Sequence, residues 1–160
     1  MTNYKALFLD IDGTILRRDH TIEDTTKLAV KQAQGKGIEV FLATGRPLHE
    51  VDDIADELGV DSFIGYNGAY AIYDGKTIVD EPISGSVIDQ FLDVAKQNKH
   101  EMILYTNELN LVTSESKQVV KDFIDYFDLK HHQVYEAIYR EQILGITLMD
   151  VRPDEPALYE

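Results

Sequence analysis

The 160-residue chain carries 29 acidic and 15 basic residues, so its formal net charge is −14. This charge argues against binding to nucleic acid or to an anionic membrane, because both favour a positive protein surface. Cysteine is absent, which excludes disulfides and thiolate metal sites, and neither a signal peptide nor an apolar run of membrane-spanning length is recognisable. We therefore expect a cytoplasmic globular protein.

The first half of the sequence predicts alternating strands and helices. Residues 6–9 (ALFL) are a short, densely apolar run, which predicts a strand buried on both faces of a parallel sheet. A helix and a second strand, Ile38 to Ala43, are expected next. A second helix follows with Pro47 in its first turn, and a third short strand covers Ser62 to Ile64. This alternation predicts a parallel α/β sheet with right-handed crossovers.

The second half of the sequence has a different pattern. Residues 70–81 alternate around Asp74-Gly75, which predicts a β-hairpin. After Pro82, apolar spacing predicts a mixture of helices and strands typical of an α+β domain. The predicted elements are a helix over about 86–96, strands over 101–105 and 109–113, a helix over about 119–127 and a strand over 143–151. We place the domain boundary near Glu81 and Pro82.

Two aspartates, Asp10 and Asp12, follow the first predicted strand. Ligands bind at the carboxyl ends of the strands in open parallel sheets. An isolated pair of this kind could simply cap a turn, but the buried strand before it and Gly-Thr after it favour a site for a cation or a phosphate. Gly13 would let the backbone approach such a ligand closely.

A second polar element, LATGRP, follows the second predicted strand. The hydroxyl of Thr44, the N–H of Gly45 and the start of a helix would together form an anion site, although Thr44 by itself could be only a helix cap. Because neighbouring parallel strands end at the same edge, Thr44 is expected beside Asp10. A nucleophilic carboxylate, hydrogen-bond donors and a metal between carboxylate and phosphate suit phosphoryl transfer.

The motifs FLDIDGT, ATGRP and YNGA together resemble the haloacid dehalogenase-like hydrolases, and more narrowly the Cof-type phosphatases. The resemblance implies an α/β fold, with a Rossmann-like parallel sheet core and an inserted α+β cap. It assigns residues 1–81 to the catalytic core and residues 82–160 to the cap, both incomplete in this chain.

The resemblance also implies roles for individual residues. Asp10 would attack phosphorus, while Asp12 would protonate the leaving oxygen and later activate water. Asp10 and the backbone carbonyl of Asp12 would bind Mg²⁺. The hydroxyl of Thr44 would hold the phosphoryl group, helped by the backbone N–H groups of Asp12 and Gly45.

Two further residues near the predicted strand ends, Arg46 and Asn67, are candidates for contact with substrate or cap. Helix capping and loop bracing are equally expected roles for them.

The family also requires a lysine and an acidic GDxxND-like segment after the cap, and neither occurs here. We therefore expect a fragment of a longer protein, with weak metal binding and little turnover. The alternative is a chain that covers its exposed apolar sheet edge by self-association.

The function predicted on this basis is magnesium-dependent hydrolysis of a small phosphorylated metabolite, such as a sugar phosphate, through an aspartyl-phosphate intermediate. A phosphomutase or phosphotransferase of the same superfamily and a non-catalytic phosphate-binding module are the alternatives. The identity of the phosphate ester is not encoded in any recognisable motif.

Overall fold

The computed structural model describes residues 4–159, which divide into two compact units between Asp80 and Glu81. We call the part up to Asp80 unit 1 and the part from Glu81 unit 2. The assignment of these units to a catalytic core and a cap stays a prediction. No helix among residues 4–159 is both long and apolar enough to cross a membrane.

Unit 1 is built on a five-stranded sheet in the order β1-β2-β3-β4-β5. The first three strands are parallel, β4 pairs antiparallel with β3, and β5 pairs antiparallel with β4. This confirms the predicted α/β class. Its elements are β1 (Ala6–Leu9), α1 (Asp24–Gly35), β2 (Glu39–Ala43), α2 (Asp52–Leu58), β3 (Phe63–Gly65), β4 (Tyr70–Tyr73) and β5 (Lys76–Asp80).

The predicted hairpin around Asp74-Gly75 joins β4 to β5, and both turn residues have positive φ, 50° and 69°. Two-residue hairpin loops of this geometry match the right-handed twist of the flanking strands, and an Asp-Gly pair adopts it readily. The hairpin prediction is therefore confirmed.

Strand β1 is not buried on both faces, and this prediction is wrong. Leu7 and Leu9 are half-buried, but Ala6 is exposed and the side chain of Phe8 is 57% exposed. The reason is that β1 lies at the edge of the described sheet, with β2 as its single neighbour there. Phe8 instead stacks on Phe41 of β2, with ring centroids 4.8 Å apart.

Pro47 does not begin an α-helix, which corrects a second prediction. It is followed by a single 3₁₀ turn, Leu48–Glu50, and α2 begins only at Asp52. No α-helix N-terminus therefore follows Thr44 and Gly45 directly. An anion bound there would depend on individual N–H and O–H groups and not on a helix dipole.

Unit 2 contains a four-stranded sheet in the order β8-β7-β6-β9. Its central strand β6 is buried on both faces: Met102 and Leu104 pack into one apolar core, while Ile103 packs into the other. The elements are α3 (Gly85–Asn98), β6 (Glu101–Tyr105), β7 (Asn110–Val112), α4 (Gln118–Phe127), β8 (His132–Val134) and β9 (Gly145–Met149). The α+β pattern of the second half is as predicted.

Candidate active site

A cleft in unit 1 lies where β1 and β2 end side by side. The two strands pair in parallel with Leu9 opposite Leu42, and their ends lead directly into Asp10 and Thr44. The open cleft has a volume of about 320 Å³. Its lining consists of Asp10, Ala43, Thr44, Gly45, Ile64, Asn67 and Gly68. Four residues predicted from sequence, namely Asp10, Thr44, Gly45 and Asn67, are thus brought together.

The loop after β1 is held by the fully buried side chain of Ile11, which separates the two exposed aspartates. The Ile11 carbonyl accepts hydrogen bonds from the N–H groups of Ile15 and Leu16, both at 3.0 Å. Gly13 has φ of +74°, and a β-carbon there would meet no atom within 4 Å. Glycine is therefore favoured at position 13 by backbone conformation and not by lack of space.

The carboxylate of Asp10 has one weak partner in its own loop. The hydroxyl of Thr14 donates to Asp10 Oδ2 at 3.4 Å, which is long for an O–H···O hydrogen bond. Asp10 is exposed and lines the cleft. Its oxygens are therefore accessible to a ligand or a metal ion.

Thr44 is the buried polar residue of the cleft, with only 7% of its surface exposed. Its N–H donates to the carbonyl of Ile64 at 2.8 Å, which fixes the backbone to β3. Its Oγ1 accepts a hydrogen bond from the N–H of Arg46 at 3.1 Å. Because the oxygen acts as acceptor in that bond, the hydroxyl hydrogen remains for a second partner.

Gly45 and Asn67 pack against each other on one wall of the cleft. A β-carbon at Gly45 would lie 2.9 Å from Asn67 Oδ1, closer than carbon and oxygen normally approach. Asn67 has left-handed backbone angles (φ 55°, ψ 30°), a conformation in which asparagine is enriched. Its N–H donates to the carbonyl of Thr44 at 3.3 Å. The YNGA turn is thereby tied to the ATGRP loop.

Asp12 and Arg46 form a two-pronged ion pair. Arg46 Nε donates to Asp12 Oδ2 at 2.8 Å, and Nη2 donates to Oδ1 at 2.5 Å. The two side chains are 57% and 29% exposed, respectively. The pair braces the two loops against each other, which is the alternative role considered for Arg46. Asp12, Gly13 and Arg46 do not line the cleft, unlike Asp10.

The support beneath the YNGA turn was missed from sequence. Tyr66 is 5% exposed, and its hydroxyl lies 3.4 Å from His49 Nδ1. Burial raises the pKa of Tyr66 well above its ordinary value, so the phenol stays neutral. At Gly65, a β-carbon would lie 2.5 Å from Leu48 Cδ2, so this glycine is needed for close packing. The aromatic residue Tyr66, directly before Asn67, is the feature of the sequence that could have indicated this support.

The carboxylates of Asp10 and Asp12 could supply only some of the ligands that a Mg²⁺ ion needs. Magnesium in proteins is typically bound by one or two carboxylates, with waters and substrate phosphate oxygens completing the octahedron. Asp10 offers exposed carboxylate oxygens, whereas both oxygens of Asp12 are engaged by Arg46. Among residues 4–159, no three or more histidine and acidic side chains converge in a metal-binding cluster. The residues present therefore fit a site with few protein ligands.

Comparisons with known proteins find relatives that are named as putative phosphatases. Two curated relatives from Bacillus subtilis (strain 168) are the putative phosphatases YkrA and YxeH. YkrA is 28% identical over 155 residues, covering 97% of this chain and 60% of its own. YxeH is 37% identical over 158 residues, covering 95% of this chain and 54% of its own.

Solved structures show the same fold. A hypothetical protein from Geobacillus kaustophilus HTA426 superposes with a TM-score of 0.87 at 24% identity, covering 98% of this chain and 61% of that one. The subclass IIB sugar phosphatase BT4131 superposes with a TM-score of 0.75 at 25% identity, covering 90% and 58%. This chain thus spans between 54% and 61% of the length of the four proteins.

The family model for haloacid dehalogenase-like hydrolases matches residues 7–156, which is most of the chain. The matched range includes both aspartates, the ATGRP loop and the YNGA turn. The resemblance inferred from these motifs is confirmed, and the chain belongs to the haloacid dehalogenase-like hydrolases.

Proposed function

We propose that this chain provides the phosphoryl-transfer cleft of a magnesium-dependent phosphatase acting on a small phosphorylated metabolite. The observation that carries the proposal is the convergence of the exposed Asp10 carboxylate and the buried Thr44 hydroxyl in one cleft. A nucleophile and a hydrogen-bond donor on adjacent strand ends can act on the same phosphoryl group. Membership in the hydrolase family supports the same reaction class.

In the proposed reaction, a carboxylate oxygen of Asp10 forms a bond to phosphorus while the ester P–O bond breaks. The leaving oxygen takes a proton from Asp12. Water then attacks the aspartyl-phosphate and gives a proton back to Asp12, which releases inorganic phosphate and regenerates Asp10. A carboxylate pair with divided roles of this kind requires that one member accepts and returns a proton.

Thr44 and Gly45 would hold the phosphoryl group during transfer. The Thr44 hydroxyl keeps its hydrogen for a phosphoryl oxygen, since its oxygen already accepts from the N–H of Arg46. The lack of a β-carbon at Gly45 lets the ligand approach the backbone beside Asn67. Preorganised donors of this type stabilise charge that develops in the transition state.

The Arg46–Asp12 pair has a consequence for the proposed role of Asp12. A carboxylate held by two N–H donors cannot exchange a proton with the leaving group until at least one of these hydrogen bonds opens. We infer that an arriving phosphate competes for Arg46, because a guanidinium binds phosphate as well as carboxylate in a two-pronged fashion. Arg46 would then contact the substrate, and the released Asp12, whose side chain is partly exposed to water, would take up a proton before it donates that proton to the leaving oxygen.

Magnesium would be held by a carboxylate oxygen of Asp10 and the backbone carbonyl of Asp12. When bound, the ion supplies the positive charge that allows a carboxylate to approach a dianionic phosphate. The engagement of the Asp12 side chain by Arg46 supports a ligand set in which that side chain takes no part.

The substrate class rests on analogy with relatives. BT4131 is described as a sugar phosphatase, and YkrA and YxeH as putative phosphatases. A sugar phosphate is therefore our proposed substrate type for the whole protein.

The exposed edge of β1 supports self-association of the 160-residue chain. Unpaired backbone groups on an edge strand can pair with another copy, and the exposed ring of Phe8 adds apolar area. Size-exclusion chromatography across a concentration series would detect it. A Phe8→Lys variant should remain monomeric, whereas a monomeric wild-type chain would contradict this part of the proposal.

A second candidate is a phosphate-binding module without turnover. It is favoured by the engaged side chain of Asp12 and by the few metal ligands that the described residues provide. Such a module would bind Mg²⁺ and beryllium fluoride, a mimic of aspartyl-phosphate, but would release no phosphate from any ester.

The test compares wild type with Asp10→Asn, using p-nitrophenyl phosphate and a panel of sugar phosphates with and without Mg²⁺. Asp56→Asn, an exposed position on α2, is the matched control. We expect slow, magnesium-dependent phosphate release in wild type and control, and none in Asp10→Asn. Appearance of a sugar-phosphate isomer without free phosphate would identify a mutase. Magnesium-dependent hydrolysis by Asp10→Asn would refute the mechanism.

A further inference from the structure

Unit 2 contains its own pocket of about 420 Å³, which lies between α3, the start of β6 and the segment before α4. This volume is within the range of small-molecule sites in proteins. Three lysines, Lys96, Lys99 and Lys117, line it, and we call it the lysine pocket. It shares no lining residue with the cleft in unit 1.

The charge of the lysine pocket is opposite to that of the chain. Three of the 15 basic residues line it, against only two of the 29 acidic residues, Asp93 and Glu101. In a protein with a net charge of −14, three lysines around one concavity form a local positive field. Such a field attracts anions and raises their local concentration.

One of the two acidic side chains in the pocket, that of Glu101, already has partners within the protein. Glu101 is 8% exposed, and its Oε2 accepts a hydrogen bond from the Thr113 hydroxyl at 2.6 Å. Its other oxygen lies 4.0 Å from Lys117 Nζ. Glu101 therefore balances Lys117. Within residues 4–159, Lys96 and Lys99 form no ion pair, so their charges remain available to a ligand.

The backbone at Lys99 provides a separate argument. Lys99 ends α3 in the left-handed conformation, with φ 62° and ψ 28°, where glycine is the usual residue. Lys96, in the last turn of α3, also suits the negative end of the helix dipole. Lys99 lies at the same end of the helix, but its position also places a long side chain on a backbone conformation that glycine adopts at lower cost. Strained positions of this type cluster at ligand sites.

The other walls of the pocket are apolar or fixed. Leu92, Ala95 and Tyr135 supply the apolar surface. The ring of His100 is 5% exposed and held at both nitrogens, by Tyr159 Oη at 2.7 Å and Glu155 Oε2 at 3.0 Å. His100 therefore forms a rigid wall and has no ring nitrogen left for a ligand.

We propose that the lysine pocket binds a small organic anion. Its acidic group would lie between Lys96 and Lys99, and its apolar body would contact Leu92, Ala95 and Tyr135. The proposal is independent of the phosphatase function, because the two sites have different linings.

The test uses phenylphosphonate, which combines a dianion with an apolar ring and has no hydrolysable ester bond. Titration of the ¹⁵N-labelled 160-residue chain in magnesium-free buffer with a chelator would be followed by NMR. We expect saturable shifts of the backbone amide signals of Lys99, His100 and Ser114, which line the pocket. Inorganic phosphate should bind at least tenfold more weakly, since it lacks the ring.

Two matched double variants separate the pocket from overall charge. Lys96→Gln/Lys99→Gln should weaken phenylphosphonate binding at least tenfold. Lys31→Gln/Lys36→Gln, with the same change in net charge at exposed positions of unit 1, should leave the dissociation constant within twofold. Equal weakening by both pairs would mean non-specific attraction and would overturn the proposal.

A single variant tests the argument from backbone strain. Lys99→Gly relieves the left-handed conformation, so it should raise the melting temperature while weakening phenylphosphonate binding. A purely structural lysine would give a lower melting temperature instead. Signal shifts confined to Thr44, Gly45 and Asn67, or the absence of saturable shifts at the pocket residues, would also overturn the proposal.

Discussion

The substitution Gly45→Ala tests whether the ATGRP loop serves binding and not stability. The added β-carbon would lie 2.9 Å from Asn67 Oδ1 and 3.5 Å from its Cγ. Asn67 is exposed, so its side chain can rotate away. An off-rotamer side chain costs about 0.5–1.5 kcal/mol, which sets the upper limit of the expected loss of unfolding free energy.

The effect on anion binding should be larger. Displacement of the Asn67 side chain would remove one charge-assisted hydrogen bond to a bound phosphoryl mimic. The loss of binding free energy would then be about 1.5–3 kcal/mol, or roughly 10- to 150-fold in the dissociation constant. Isothermal titration calorimetry with beryllium fluoride and Mg²⁺ would measure the affinity. Thermal unfolding would measure stability.

Gly65→Ala is the matched control for this substitution. Its β-carbon would lie 2.5 Å from Cδ2 and 2.7 Å from Cγ of Leu48, which is buried and cannot move away easily. Overpacking of this kind costs about 1–3 kcal/mol, and each kcal/mol lowers the melting temperature of a unit this size by roughly 4–8 °C. Beryllium fluoride affinity of the folded protein should change less than threefold. If Gly45→Ala binds beryllium fluoride like wild type, or is less stable than Gly65→Ala, our assignment of Gly45 to the binding wall is wrong.

Three further predictions concern stability. Hydrogen bonding by Arg152 lowers the pKa of Glu155 from its ordinary value to about 2, so its stabilising contribution is present above pH about 4.5 and is lost as the pH falls towards 2. Glu155→Gln should flatten this acid limb in urea denaturation curves, and an unchanged limb would contradict the assignment. Leu104→Ala empties a fully buried position in unit 2 and should lower the unfolding free energy by about 2–5 kcal/mol, measured by urea denaturation; a loss below 1 kcal/mol would be unexpected. Arg46→Gln should cost less than about 1 kcal/mol, because its pair with Asp12 is partly exposed, and a larger loss in the same assay would show that the brace is structural.

The sequence predicted the elements of the fold because its signals were local. The Asp74-Gly75 hairpin and strand β6 follow from turn chemistry and apolar runs within a few residues. The burial of β1 was predicted wrongly because it depends on which strands lie on each side, and the described sheet has a neighbour on one side only. The start of α2 was also misjudged, since Pro47 is followed by a 3₁₀ turn, Leu48–Glu50, and the α-helix begins only at Asp52.

The candidate site was predictable where motifs sit at strand ends. Asp10, Thr44 and Asn67 meet because adjacent parallel strands end at one edge. The Arg46–Asp12 pair joins residues 34 positions apart and depends on loop geometry that no spacing rule gives. The lysine pocket is assembled from elements between Leu92 and Tyr135, so its composition becomes visible only after folding.

The central position of β6 in unit 2 has a mechanical consequence. Its side chains project alternately into two apolar layers, so neither layer can loosen without disturbing the strand that the other also needs. Both layers should therefore unfold together, and a substitution that destabilises one layer should also destabilise the other. We therefore expect unit 2 to unfold in a single cooperative transition, without a stable state in which only one layer is melted.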